Sequence, residues 1–399
     1  MRKLLTGVVK FCETGRAGIF STENEIFLLG NAPEVIQTNM MKSVRLTLQV
    51  GLVTFAFISC RKSTVAPTLE GDWAKQSPLV MSKRTEAVSF VINNTAYVGT
   101  GFDGLVVHYN DFWKYDEVND SWTQVASMPA GTERNSAVAF SLNGKGYVGT
   151  GFDGNHYLND FYKYDPATDS WSQIASLAGN PRYEAVAFGI GNSGYVGTGF
   201  DGDHVLNDFY QYDPSSDKWN SIPFNGNARF GAVSWVFEDQ AYVVTGTKNG
   251  VLQTDFWVFD PKSDTSKWTK LRSIADSTGW VFDDGYATIA RWNASVAVVG
   301  NQAILCMGQS GSLSPYINSH SWIYSMDTPG NSGGQTDVWA EKTSFEGSPT
   351  TGATSFSLTS SNGGGGFFLV PGTTVYKEGI HYSELWQFFP TRPPDSKNN

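Results

Sequence analysis

Apolar and polar residues alternate with a period of two over short stretches along most of the chain, the pattern of half-buried β-strands. The stretches come in groups of four, for example "NSAVAFSLNG", "GYVGTG", "DFYKYDP" and "SWSQIAS". Glycine, asparagine and aspartate separate them, as expected for tight turns. The pattern predicts very little helix, and each group of four predicts one antiparallel sheet.

The groups recur about every 50 residues, which indicates a repeat architecture. Trp122, Trp171, Trp219 and Trp268 are 49, 48 and 49 residues apart. Two further residues keep nearly the same spacing: an arginine before the first strand (Arg84, Arg134, Arg182, Arg229) and a tyrosine in the second (Tyr97, Tyr147, Tyr195, Tyr242). Four repeats follow directly from this agreement.

Two more repeats complete the chain. Arg291 opens a fifth repeat, and its fourth strand begins at Trp339. The sixth ends at "ELWQFFP" without a tryptophan, whereas Trp73 lies 49 residues before Trp122. A strand from the N-terminal side can therefore complete the last sheet, so that no sheet edge stays open. The prediction is an all-β fold, a six-bladed β-propeller of four-stranded antiparallel blades over residues 71–390.

The segment "YVGTGFDG" contains a Gly-x-Gly-x-x-Gly spacing that could indicate a dinucleotide-binding loop. Such a loop follows one strand and opens a helix whose amides face the phosphates. Here the segment occurs three times, and an aromatic strand such as "NDFYKYD" follows each copy. We therefore interpret the glycines as structural, and expect them to let the inner strands approach the propeller axis.

The ordered Arg, Tyr, Gly, aromatic-Asp and Trp positions resemble the Kelch family, and the resemblance covers residues 71–390. The double glycine of that family is "GTG" here, with Thr100, Thr150 and Thr198 as the middle residues. The resemblance implies the propeller fold. It also brings two enzyme classes into consideration, the copper-dependent galactose oxidases and the N-acetylneuraminate epimerases.

The N-terminal segment predicts export. Residues 41–59 have two cations followed by an apolar core, as in a signal peptide, and "FISC" resembles a lipobox that would attach lipid to Cys60. We interpret residues 1–40 as an over-long gene start without a fold, 60–70 as a lipid-anchored linker and 391–399 as a disordered tail. These features predict a lipid-anchored protein of the cell envelope, in the outer membrane or periplasm; fatty-acid labelling of the wild type and of Cys60→Ala would test the anchor.

The charge excludes one class of partner. The chain carries 28 basic and 38 acidic residues, a net charge of −10, without a basic cluster in the folded part. Nucleic acid is therefore not an expected partner. The membrane should be contacted only through the lipid anchor, and we expect a monomer.

The repeated arginines are the main candidate ligand-binding residues. Arg84, Arg134, Arg182, Arg229 and Arg291 occupy one repeat position and should surround one mouth of the central channel. Glu86 and Glu184 follow their arginines by two residues, which predicts the same side of a strand. Two interpretations stay open. The arginines form internal pairs with loop carboxylates such as Asp103, Asp153 and Asp201, or they form a ring that binds anions.

An insertion before the fifth repeat supplies a second candidate. The segment "SIADSTGWVFDDGYAT" lengthens the connection on the arginine side of the ring, and Trp280 and Asp283 within it suit sugar stacking and hydrogen bonding. Alternatively, the insertion folds onto its own blade.

Metal chemistry is disfavoured by the sequence. Three of the five histidines (His108, His156 and His204) occupy equivalent loops of different blades, too far apart to share a copper ion, and Cys306 has no tyrosine next to it in its motif. In the loop "FDGNHYLND", Tyr157 and Leu158 interrupt the oxygen spacing that calcium requires, which favours a turn held by its Asp and Asn side chains. We expect no metal and no cofactor.

Two functions remain open. The first is a binding module for a glycan or a protein, acting through the loops on the arginine side. The second, implied by the resemblance, is a periplasmic sugar epimerase or mutarotase of the sialic-acid type. Glu86, Glu133, Glu184, His156 and His204 are available for acid–base work, but no local motif assigns a catalytic residue. A closed pocket would favour the enzyme, whereas an open groove would favour binding.

Overall fold

The structure is a computed structural model of the chain. It describes residues 19–22, 25–28, 69–274, 288–311, 316–326, 339–359, 365–374 and 382–393. The chain divides into two units, residues 1–67 and residues 68–399. In the first unit, Ile19–Thr22 pairs antiparallel with Glu25–Leu28. The predicted signal peptide and Cys60 lie outside the described residues.

The second unit is a six-bladed β-propeller, which confirms the predicted fold class. Each blade is a four-stranded antiparallel sheet, and no α-helix occurs in the part of the chain that the structure describes. Blades 1 to 3 consist of Val88–Ile92, Thr95–Gly99, Phe112–Asp116 and Ser121–Val125; Val138–Leu142, Lys145–Gly149, Phe161–Asp165 and Ser170–Ile174; and Val186–Ile190, Ser193–Gly197, Phe209–Asp213 and Lys218–Ile222. Blades 4 and 5 consist of Val233–Phe237, Gln240–Val244, Trp257–Phe259 and Trp268–Lys270; and Ser295–Val299, Gln302–Cys306, Ser321–Ser325 and Trp339–Lys342.

Blade 6 combines the two ends of the propeller, as the tryptophan spacing predicts. Its strands are Thr354–Thr359, Gly365–Val370, Leu385–Phe389 and, from the N-terminal side, Asp72–Gln76. The last two pair over five residues, from Asp72 opposite Phe389 to Gln76 opposite Leu385. The closing strand therefore covers what would otherwise be an exposed sheet edge.

The strand pattern of the sequence accounts for the packing of the blades. First strands such as Val138–Leu142 alternate between buried and half-buried residues, because one face packs on a neighbouring blade and the other lines the central channel. Second strands are buried along almost their whole length. A Cβ at Gly194 would lie 2.4 Å from the ring of Phe140 in the preceding blade, so that glycine permits the close approach of the blades.

Repeated tyrosine and aspartate residues connect neighbouring blades. In blade 2, the Tyr164 hydroxyl donates to Asp169 Oδ1 (2.8 Å). The same oxygen accepts a hydrogen bond from the backbone N–H of Ala126, which follows the last strand of blade 1 (2.9 Å). Blade 3 repeats this contact, where Asp217 Oδ1 accepts the Tyr212 hydroxyl and the N–H of Ala175. These shared acceptors fix the outer strands of one blade to those of the next.

Two short hairpins extend the connections between second and third strands. They are Thr247–Lys248 with Val251–Leu252 in blade 4, and Gln309–Ser310 with Tyr316–Ile317 in blade 5. In blades 1 to 3 the corresponding connections carry isolated bridges, such as Phe152 with Tyr157. Further bridges, such as Asn135 with Phe152, join these connections to the segments that precede the first strands. We call the end of the ring that carries both kinds of segment the arginine face.

Candidate functional site

The five repeated arginines lie inside the arginine face rather than on its surface. Arg84 is 2% exposed, and Arg134, Arg182, Arg229 and Arg291 are fully buried. In every blade that has one, Nη1 donates to the backbone carbonyl of the residue after the second strand: Thr100, Thr150, Thr198, Thr245 or Met307. Each arginine therefore ties the start of its own blade to the connection between the second and third strands.

Four of the arginines also pair with an aspartate that directly precedes the third strand in blades 1 to 3 and lies two residues before it in blade 4. Arg134 binds Asp160 through two parallel hydrogen bonds of 2.8 and 2.9 Å. The equivalent pairs are Arg84 with Asp111, Arg182 with Asp208 and Arg229 with Asp255. Burial acts to raise the pKa of Asp111, but the hydrogen bond and the charge of Arg84 lower it overall. Two-point guanidinium–carboxylate contacts of this kind are strong and directional.

Arg291 differs from the other four, because no carboxylate pairs with it among the described residues. Its guanidinium donates to the carbonyl oxygens of Met307 (2.8 Å), His320 (3.1 Å) and Thr288. Burial lowers the pKa of Arg291 to about 10, so the group remains charged at neutral pH.

The internal pairs use other aspartates than the sequence suggested. Asp103, Asp153 and Asp201 do not pair with the arginines; they close their own turns. Asp153 Oδ1, for example, accepts the N–H groups of Asn155 and His156, both at 2.7 Å. These carboxylates are engaged in their own turns, whereas the "ND" aspartate at the third strand faces the arginine. Ligand binding by the arginines stays a prediction, and the geometry gives them a structural role.

Six residues, one from each blade, form the mouth of the central channel on this face. They lie two positions after the arginine, or after Thr350 in blade 6, and all have left-handed backbone angles, with φ between 50° and 65°: Glu86, Ser136, Glu184, Gly231, Asn293 and Gly352. Five backbone hydrogen bonds of 2.7 to 3.0 Å connect them head to tail. We call this set the mouth ring.

The left-handed turn corrects the position predicted for the two glutamates. The first strands begin only at Val88 and Val186, so Glu86 and Glu184 precede them. Arg182 is directed at Asp208, whereas Glu184 lines the cavity at the mouth. Residues two positions apart share a face only within a strand. Here they do not, because the backbone adopts a left-handed conformation at the glutamate.

Both glutamates accept hydrogen bonds from other blades, Glu86 from blade 2 and Glu184 from blade 5. Glu86 Oε2 accepts hydrogen bonds from Ser136 Oγ (2.5 Å) and from the amide of Asn135. Glu184 Oε1 accepts one from the amide of Asn293 (2.8 Å). Glu184 Oε2 has no contact with solvent and no hydrogen-bond partner among the described residues.

The environment of Glu184 changes its protonation. Burial, followed by the negative charge of Glu86, raises the pKa of Glu184 to about 8, although the hydrogen bond from Asn293 acts in the opposite direction. Tyr183 is in the same field, and burial together with the charges of Glu184 and Glu86 raises the pKa of its phenol. The mouth therefore holds a carboxyl group that is largely protonated at neutral pH.

A continuous band of half-buried rings follows the mouth ring over five blades. Successive ring centroids are 4.6 to 6.2 Å apart, and the members are Phe102, His108, Phe152, Tyr157, Tyr183, Phe200, Phe230 and Trp292. Three of them, Tyr183, Phe230 and Trp292, directly precede a mouth-ring residue. We call this band the aromatic arc. It was not predicted from the sequence, although aromatic residues directly follow three of the repeated arginines.

The cavity inside the mouth ring is small. It has a volume of about 110 Å³ and is lined by the mouth ring and the alanine after each of its members. A second cavity of about 210 Å³ lies within the channel and is lined by small residues of the six first strands. Drug-sized ligands fill pockets of about 300 to 1,000 Å³, so the mouth accommodates one functional group rather than an entire ligand.

The remaining predicted site residues are not brought to the mouth. Trp280, Asp283 and Cys60 lie outside the described residues. His156 and His204 lie on loop tips with about three quarters of their side chains exposed. Cys306 is buried in a second strand, and burial raises the pKa of its thiol to about 12.

The described residues contain neither a metal-binding cluster nor a helix suited to crossing a membrane. Across these ranges, no group of three or more His, Cys, Asp or Glu residues is arranged to hold a metal ion. The same part of the chain has no helix of the length and apolarity needed to cross a membrane.

Comparisons with known proteins agree with this architecture. Residues 127–308 match the KLHDC2/KLHL20/DRC7 Kelch-repeats domain, and residues 83–129 match the Kelch motif. The chain therefore contains Kelch repeats. No curated protein matches it. A solved structure titled "Structure of YjhT" is similar with a TM-score of 0.60 and 17% sequence identity, over 77% of this chain and 96% of that chain, which shows the shared fold alone.

Proposed function

We propose that the protein is a binding module that recognises a glycan on its arginine face. The observation that supports this most is the aromatic arc beside a mouth that carries carboxyl, amide and hydroxyl groups. Half-buried rings stack on the apolar faces of sugars, and polar groups at fixed positions bind the hydroxyls. Both features occur together on one end of the propeller.

The size of the mouth favours binding over enclosure. A cavity of about 110 Å³ cannot surround a sugar chain, so most of the ligand would lie across the open arc. The sequence left two functions open, a binding module and an enzyme. An open surface of this kind favours the binding module.

In this proposal the arginines act indirectly. Their hydrogen bonds to the backbone carbonyls after the second strands fix the connections that carry Phe102, Phe152 and Phe200, and these rings belong to the arc. Direct contact between a guanidinium group and an anionic ligand would require breaking a buried ion pair. Export and lipid attachment at Cys60 remain part of the proposal as sequence-based predictions.

A carbohydrate epimerase or mutarotase is the second candidate function. One observation favours it: Glu184 lines the mouth cavity, where burial and then the nearby Glu86 raise its pKa to about 8, and a carboxyl group that keeps its proton at neutral pH can act as a general acid. NMR of the anomeric protons of a bound glycan discriminates, because an unchanged rate of anomer exchange with added protein excludes this function.

A glycan array with the purified protein tests the binding function. We expect at least one class of glycan to bind, and the double substitution Tyr183→Ala, Trp292→Ala to weaken that binding by about tenfold or more, since stacking on each ring is worth about 1 kcal/mol. Phe237→Ala is the matched control, because this half-buried ring lies at the other end of blade 4.

Two results would contradict the proposal. One is an array on which no glycan binds the wild type. The other is equal glycan binding by the wild type and a folded double variant, which would place the ligand elsewhere.

A further inference from the structure

We infer that the mouth ring receives a positively charged nitrogen, an ammonium group carried by an amino sugar of the glycan. This inference rests on the proposed function and specifies its ligand class. It reverses the anionic ligand that the arginine positions suggest in the sequence. The reason is that the fold pairs the arginines internally and leaves the carboxyl groups of Glu86 and Glu184 at the mouth.

The ionisable side chains at the mouth are acidic. The arginines of blades 1 to 4 are buried against aspartates, and the guanidinium of Arg291 donates to backbone carbonyl oxygens. Among the residues that line the mouth cavity, only Glu86 and Glu184 are ionisable. An anion entering this cavity would meet two carboxyl groups and no cationic side chain, whereas a cation would find carboxyl oxygens that can accept its hydrogen bonds.

One oxygen at the mouth lacks a partner that an ammonium group would supply. Glu184 Oε2 is shielded from solvent and accepts no hydrogen bond within the described ranges, and burying an unpaired polar atom is unfavourable. A Cβ at Gly231 would lie 3.2 Å from this oxygen, so the absence of a side chain there keeps the approach free. An ammonium group has three donors and no acceptor, which matches a carboxyl-lined cavity.

The aromatic arc suits the same ligand. Tyr183, Phe230 and Trp292 border the mouth, and the faces of aromatic rings attract cations within about 6 Å. The cavity of about 110 Å³ holds a group of this size, while the sugar rings of the ligand can lie across the arc outside it.

Protonation gives the proposed site a measurable signature. The titratable groups that face Glu184 are Glu86 from blade 1 and Tyr183 from its own blade, with Tyr157 behind Tyr183. No cationic side chain lines this cavity in the described structure. Because burial and Glu86 raise the pKa of Glu184, an arriving cation should lower it and release a proton at pH 6 to 7.

Isothermal titration calorimetry at pH 6.0 tests the inference with three probes: a glucosamine tetramer with free amines, its fully N-acetylated form, and acetyl-Gly-Lys-Gly amide. We expect the free-amine tetramer to bind at least tenfold more tightly than the acetylated one. Glu184→Gln should reduce that affinity about 10- to 100-fold, as loss of a charged hydrogen bond does. Titration in two buffers of different ionisation enthalpy should show close to one proton released by the wild type and none by Glu184→Gln.

The controls separate the possible failures. Glu238→Gln removes one negative charge from the exposed turn at the opposite end of blade 4, and it should change neither affinity nor proton release. Glu86→Gln, measured in parallel, should also weaken binding of the free-amine tetramer and keeps the test decisive if Glu184→Gln does not fold.

Each remaining outcome overturns a different statement. Equal or tighter binding of the acetylated tetramer would overturn the ammonium site and leave glycan binding intact. Binding of the lysine peptide alone would keep the ammonium site and overturn the glycan function. Binding of none of the three probes would overturn the ammonium inference, and the glycan array would then decide the proposed function separately.

Discussion

Glu184 should make the stability of the protein depend on pH in an unusual direction. Its pKa is about 8 in the folded state against an ordinary value of 4.5, so the folded state binds more protons between these values. The contribution of this group is fully present below pH 4.5 and is lost as the pH rises through 8. We expect the stability of the wild type relative to Glu184→Gln to fall between pH 5 and 8, by on the order of 1 kcal/mol per pH unit.

Urea unfolding at several pH values measures this difference. Asp201 does not interfere with this measurement. Burial acts to raise its pKa, but hydrogen bonds from His204, Asn180 and Asp203 lower the pKa to about 2, which lies outside the range from pH 5 to 8. Parallel stability curves for the wild type and Glu184→Gln from pH 5 to 8 would show that Glu184 titrates normally.

At the level of elements, the arginine–aspartate pair connects the beginning of a blade to its third strand. If the arginines formed an anion-binding ring, one of the two interpretations left open by the sequence, replacing one of them would weaken ligand binding and change stability little. The buried pair suggests a large loss of stability, because Arg182→Ala leaves Asp208 without its partner and opens a cavity under the third strand. We expect a decrease of about 3 kcal/mol or more in the free energy of unfolding.

Chemical denaturation of Arg182→Ala against Lys248→Ala checks this prediction. Lys248 is an exposed cation on the same face, and its removal should change stability by no more than about 0.5 kcal/mol. A stable Arg182→Ala variant with weakened anion binding would instead restore the arginines as ligand-binding residues.

The repeat spacing predicted the strands well and the mouth poorly, for a physical reason. Equal steps between Trp122, Trp171 and Trp219 report packing positions that every blade must repeat. The mouth depends on a backbone angle, the left-handed φ of Glu86 and Glu184, and glutamate gives no sign of it. Gly231, Asn293 and Gly352 at the equivalent positions do tolerate that angle, and aligning the six repeats at this position would have indicated it.

At the scale of the whole molecule, closure was the most informative prediction. It required only that Trp73 precede Trp122 by one repeat length, and the structure pairs Asp72–Gln76 with Leu385–Phe389 as that spacing implies. The position of the ligand could not be obtained in the same way. Strand packing repeats in all blades, whereas a binding site depends on how the blades differ, as Thr85, Asn135, Tyr183, Phe230 and Trp292 do at one position.

The closing strand should control the stability of the entire propeller. Trp73 is fully buried and packs on Phe345 and Phe388, with ring centroids 4.9 and 4.8 Å away. Deleting residues 71–80 removes these contacts and exposes the edge of the Leu385–Phe389 strand. Each blade packs on two neighbours, and the deletion leaves one blade incomplete. We therefore expect it to lower the stability of the whole propeller in one cooperative unfolding transition, rather than that of blade 6 alone.

Calorimetry of three variants tests this expectation. Trp73→Ala should lower the free energy of unfolding by about 3 to 5 kcal/mol, the range for a large aromatic residue in a core, and the deletion should lower it further. Lys75 lies in the same strand but is exposed, and its contact with Glu384 is a surface ion pair. Lys75→Ala should therefore change the free energy of unfolding by less than about 1 kcal/mol. If the deletion variant melts at the wild-type temperature, blade 6 does not depend on the N-terminal strand. If it melts in two separate transitions, the blades unfold independently and closure stabilises only the blade that it completes.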